Sequence, residues 1–83
     1  MSYPYKAVVI HWYDAYMHDI HFTEDDLQPP SKTFTIGWLV KDAKDYVAVC
    51  RDVYPPERDE YLGHSFLIIP RTYITEMVYI NAI

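Results

Sequence analysis

Residues 11–22, HWYDAYMHDIHF, set His11, His18 and His21, the carboxylates Asp14 and Asp19, and four aromatic rings within twelve positions. Three chemistries could use such a set: metal ligation, general acid–base catalysis, or stacking on a flat ligand. Imidazole and carboxylate ligate zinc and other transition metals. In an extended chain, however, residues 11 and 18 stand roughly 20 Å apart. Only a sharp turn near 15–18 would gather His11, Asp14, His18, Asp19 and His21, so no metal site is expected. Acid–base work needs a carboxylate that faces the imidazole it orients, and the neighbours His18 and Asp19 do not do so in a strand. Cys50, between Val49 and Arg51, has no local histidine to activate it and reads as a small buried hydrophobe. Two glycines in 83 residues leave no glycine-rich phosphate loop. Neither an enzyme nor a cofactor is expected.

Stacking fits the stretch better. Trp12, Tyr13, Tyr16 and His18 can lie against a base, a contact typically worth about 1–3 kcal/mol. Asp14 or Asp19 can accept hydrogen bonds from an exocyclic amine or a ribose hydroxyl. Arg51 and Arg71 offer planar cations that suit phosphate. The expected ligand-binding set is therefore Trp12, Tyr13, Asp14, Tyr16, His18, Arg51 and Arg71. The competing expectation places Trp12 and Trp38 in the core, Tyr13 and Tyr16 on a subunit seam, and both arginines on carboxylates. Asp14, directly after a strand, also suits a turn cap.

The elements that must position these residues are short strands. KAVVIHWY, 6–13, alternates Val8, Ile10 and Trp12 with Ala7, Val9 and His11. Thr23 with Asp26 forms a capping-box pattern, predicting a helical turn near 23–28 before Pro29-Pro30 stops it. Residues 32–41 read as a second strand, in which Phe34, Ile36, Trp38 and Val40 alternate with Thr33, Thr35, Gly37 and Leu39. Gly37 there predicts a bend or a close backbone approach. DAKD turns the chain into a third strand, 46–53, completing a hairpin. Residues 54–64 form a polar loop. A fourth strand, 65–70, ends at Pro70, one 3₁₀ turn spans 71–73, and a fifth strand covers 74–82. The expectation is an all-β single domain, 1–83: a five-stranded SH3/Sm-like antiparallel barrel, which would also remove sheet edges.

Size and charge narrow the function further. The chain is half hydrophobic, with 17% aromatic residues and nine tyrosines, more apolar material than so small a domain can enclose. Exposed rings, and a homo-oligomer that covers some of them, are expected. The formal charge of −5, with seven Lys and Arg, opposes binding of duplex nucleic acid through its phosphates. A single cysteine excludes an internal disulfide and fits a reducing compartment. No membrane span or signal-peptide h-region is apparent, so a cytoplasmic location is expected.

The pattern VVIHWYDAYMHD … TFTIGWLVKDAKDYVAV … IPRTYI resembles a group of small proteins encoded mainly by bacteriophages and prophages. Their theme is W-x-D-A at a strand end, a later aspartate, T-x-G-x-L-V, and I-P-x-x-x-I. It is carried here by Trp12, Asp14, Ala15, Asp19, Thr35, Gly37, Leu39, Val40, Ile69, Pro70 and Ile74. Ile20-His21-Phe22 departs from it where the group often has a tryptophan. The resemblance implies the barrel and a host-cell cytoplasm. By analogy with phage anti-defence sponges, it implies capture of a small nucleotide immune signal, such as a cyclic dinucleotide, without cleavage. That analogy concerns size and context, since one fold serves many functions. The alternatives are a protein-interaction module that uses the aromatic surface and an RNA-binding Sm-like ring, against which the charge counts.

Overall fold

The computed structural model describes residues 3–15, 18–57 and 60–80. Five strands run β1 (Lys6–Asp14), β2 (Ser31–Asp42), β3 (Tyr46–Val53), β4 (Gly63–Pro70) and β5 (Ile74–Ile80), with 3₁₀ turns at Glu24–Asp26 and Arg71–Tyr73. In the first turn the Asp26 carboxylate accepts from the Thr23 backbone N–H at 2.9 Å and from the Thr23 hydroxyl at 3.4 Å, as the capping pattern predicts. The last two residues of the expected fifth strand lie outside the described residues.

All pairings are antiparallel, in the order β4-β3-β2-β1-β5. The expected closure into a barrel is absent: among the described residues β4 and β5 remain separate edges of an open sheet. The sheet curls instead. Ile69 of β4 joins Val8, Ile10 and Trp12 of β1 and Val47 and Val49 of β3 in one core cluster, with Ile74 and Met77 of β5 packed against it. Elements from both edges thus share one concave interior. Gly37 permits the close passage of β3, as a Cβ there would sit 3.0 Å from the Cys50 carbonyl oxygen and 3.5 Å from Val49 Cβ. Past this crossing the β2–β3 register slips between Leu39 and Lys41, a bulge that sharpens local twist.

Residues paired directly across an antiparallel ladder share a face. Trp12, Ile10 and Val8 pair with Thr33, Thr35 and Gly37. The small side of β2 therefore faces the core, and its large residues point outward. Phe34 is 63% and Ile36 71% exposed, while Val8 and Ile10 are fully buried. Small inward residues on β2 leave room for the bulk of β1 and for the close passage of β3.

Gly37→Val places branched carbons against the Cys50 carbonyl. It is expected to destabilise the fold by about 1–3 kcal/mol, each kcal/mol lowering Tm by about 4–8 °C in a domain of this size. Thermal unfolding followed by far-UV circular dichroism measures it.

Candidate functional site

Of the seven residues expected to bind ligand, the structure disperses the six that it describes. Trp12 is 7% exposed and sits in the core cluster. Its indole N–H donates to the Thr35 hydroxyl at 2.9 Å, so it offers no open face for stacking and belongs to the interior. Tyr13 is exposed and Asp14 half-buried at the end of β1. Tyr16 lies outside the described residues. His18 is exposed and, with Ile20, Phe22, Asp26, Leu27 and Gln28, lines a shallow cleft of about 340 Å³.

His11 does not join His18. It lies on the outer face of β1 against Phe34, ring centroids 4.7 Å apart, with Nδ1 3.9 Å from the Glu76 carboxylate. Among the described residues no group of three or more His, Cys, Asp or Glu side chains is arranged to hold a metal.

Arg71 is engaged within the fold. Its Nε donates to the Ala43 carbonyl at 3.0 Å, its guanidinium pairs with Asp42, and its backbone N–H donates to the Asp45 carbonyl at 2.9 Å. Three contacts from one residue clamp the second 3₁₀ turn onto the β2–β3 connection. This is the arginine–carboxylate role of the competing expectation. Arg51 is exposed and donates from Nε to Asp52 Oδ2 at 3.0 Å. It stands apart from Arg71 in a different set of partners.

Arg51 does border a groove, of about 430 Å³, walled by Tyr3, Trp38, Tyr54 and the Pro55-Pro56 pair and rimmed by Asp52 and Glu57. Tyr3 lies tilted on Trp38, ring centroids 5.3 Å apart and interplanar angle 33°. Position dictates this site. Trp38 is on the outward set of β2, and β3 runs straight from Arg51 into Tyr-Pro-Pro, whose fixed backbone angles hold a wall. Residue composition predicts only a polar loop over 54–64; the local signal for a wall there is the Tyr-Pro-Pro triplet directly after a strand.

A second cleft, of about 420 Å³, lies between the start of β1 and the end of β2, with Tyr5, Lys6, Lys41 and Tyr79 among its lining. Each lysine sits over a ring: Lys6 Nζ is 5.4 Å from the Tyr79 centroid and Lys41 Nζ 5.7 Å from that of Tyr46. Such cation–π contacts leave the ammonium groups open to a further anion.

No protein-family model matches the sequence, and neither a curated protein nor a solved structure matches it at a significant level. Likewise, no helix among the described residues is long and apolar enough to cross a membrane.

Arg71→Ala removes the clamp and is expected to cost about 1 kcal/mol, because the ion pair is half-exposed while the carbonyl bond is better shielded. Arg71→Lys keeps the charge without the Nε bond and should recover part of the loss. Urea unfolding of both variants at constant m-value checks the order.

Proposed function

We propose that this chain is a non-enzymatic binding module that holds an extended, proline-rich segment of a partner protein in the Tyr3–Trp38–Tyr54 groove. The observation that carries this reading is the groove itself: aromatic and proline walls with two carboxylates, Asp52 and Glu57, at the rim. A polyproline-type peptide suits it because the peptide is already extended and loses little entropy on docking. Flat rings pack against proline rings, and the acidic rim favours a basic residue beside the prolines. The strand order and the 3₁₀ link before the last strand support an SH3-type scaffold, left open at its edges. Action in the cytoplasm, as the phage resemblance implies, belongs to the same reading.

Nucleotide capture is the second reading, and one observation favours it. Lys6 and Lys41, two of the chain's seven basic residues, border one cleft with Tyr5 and Tyr79, where phosphate and base could be met together. The Arg51 groove suits phosphate less, because Asp52 already occupies the Arg51 Nε.

Titration calorimetry against proline-rich peptides with and without a flanking arginine, and against a panel of cyclic dinucleotides, separates the two. The peptide reading expects binding that strengthens with the arginine. Trp38→Ala should then weaken it by at least about tenfold, as loss of a central aromatic contact does. Binding of a cyclic dinucleotide that survives Trp38→Ala and is lost in Lys6→Ala and Lys41→Ala would transfer the assignment to the second cleft.

A further inference from the structure

We propose that the partner segment held beside Trp38 carries an acidic residue on the flank opposite its basic one, and that Lys6 and Lys41 receive the acidic side chain. This rests on the proline-rich reading of the groove and adds to it a charge polarity and a spacing.

The ladder sets the parts in line. Trp38 pairs with Cys50 and Lys41 with Ala48. Ala48, Cys50 and Asp52 occupy alternate positions of β3 and so share one face of the sheet. Along that face stand a cation, Lys41, then the Trp38 ring, then the Asp52 carboxylate. The register slip between Leu39 and Lys41 creates this order. Three regular strand positions would turn the lysine away from the Trp38 side, and the extra residue of the bulge brings it back.

The two clefts are also neighbours. Tyr3 and Pro4 line both of them, so one two-residue wall divides the Trp38 groove from the lysine cleft. Tyr3 is half exposed, at 50%, and together with Pro4 offers a ring surface over which an extended chain can continue.

The charges lining the two ends are opposite in sign. At the lysine end the Asp42 carboxylate is paired with Arg71. Lys6 and Lys41 there contact only rings through their printed partners, Tyr79 and Tyr46, a geometry that leaves ammonium hydrogens for a carboxylate. At the other end Arg51 is paired with Asp52, and Glu57 adds a second carboxylate. Among the described lining residues the first end is therefore net positive and the second net negative. Lys32, the other cation of β2, is six positions from Trp38, about 20 Å at the usual rise and beyond the track. From Ala48 to Asp52 is about 13 Å, and a polyproline helix rises about 3.1 Å per residue. Basic and acidic residues about four positions apart thus reach the two ends with a proline over Trp38 between them.

Titration calorimetry at low salt tests this with proline-rich peptides of one length. Each carries arginine on one flank and, about four positions away on the other, either glutamate or glutamine; both chain directions are made. In the tighter-binding direction, glutamate is expected to bind about threefold better than glutamine, as an exposed ion pair allows, and added salt should erase the gain. The gain should vanish in the Lys6→Ala/Lys41→Ala double variant, and in a peptide whose glutamate sits beside its arginine. Equal affinity of the glutamate and glutamine peptides overturns this inference and leaves the groove reading standing. So does a gain that survives the double variant. If no peptide of the set binds, the groove reading fails and this inference fails with it. The glutamate–glutamine comparison is made on the wild-type protein, so it decides even where the double variant does not fold.

Discussion

Three residues, Arg71–Tyr73, carry the chain from one edge of the sheet to the other. In a flat five-stranded sheet those edges would lie about 19 Å apart at the usual strand spacing, and three residues extend over only about 10 Å. The connection can therefore exist only if the sheet curls until its edges approach. Everything else in the fold answers to that demand: the missing side chain at Gly37, the slip after Leu39, and the fastening of Arg71 to the β2–β3 turn. The interior that results is narrow: among the described residues Val8, Ile10, Trp12, Val47, Val49 and Ile69 make up its buried cluster.

A narrow interior leaves a large remainder outside. Both faces of the sheet carry apolar side chains, yet only the concave one holds the core cluster. At about 25 cal/mol per Å², several hundred square ångströms of exposed side chain is a sizeable driving force toward any suitable cover. Function in so small a protein is accordingly sought at surfaces. The groove beside Trp38 and the exposed Ile36 occupy neighbouring outward positions of the same strand.

Much of the fold was legible in the residues. Runs of β-branched and aromatic residues located the strands, Pro70 with the short Arg-Thr-Tyr spacer located the 3₁₀ link, and Thr23 with Asp26 located the capped turn. Closure was not legible, because whether two edge strands pair depends on curvature summed over the whole sheet. Nor was the inward side of β2. Phe34, Ile36 and Trp38 look like a core face by composition, but the volume of Trp12 and the passage of β3 reserve that space for Thr33, Thr35 and Gly37. The site fared worse than the fold for a related reason. Trp12 has the same ring as Trp38, and only the register of β1 on β2 decides that one is enclosed and the other lines a groove. The engagement of Arg71 depends on carbonyls of a turn distant in sequence, which no local pattern announces.

The two indoles consequently occupy opposite sides of a single β-layer. Trp12 lies in a dry setting with its N–H satisfied by Thr35, and Trp38 lies beneath a tyrosine at the solvent boundary. Their emission should differ in wavelength and in access to quenchers such as iodide. The protein thus carries two built-in optical reporters, one that responds to loss of the interior and one that responds to whatever approaches from outside.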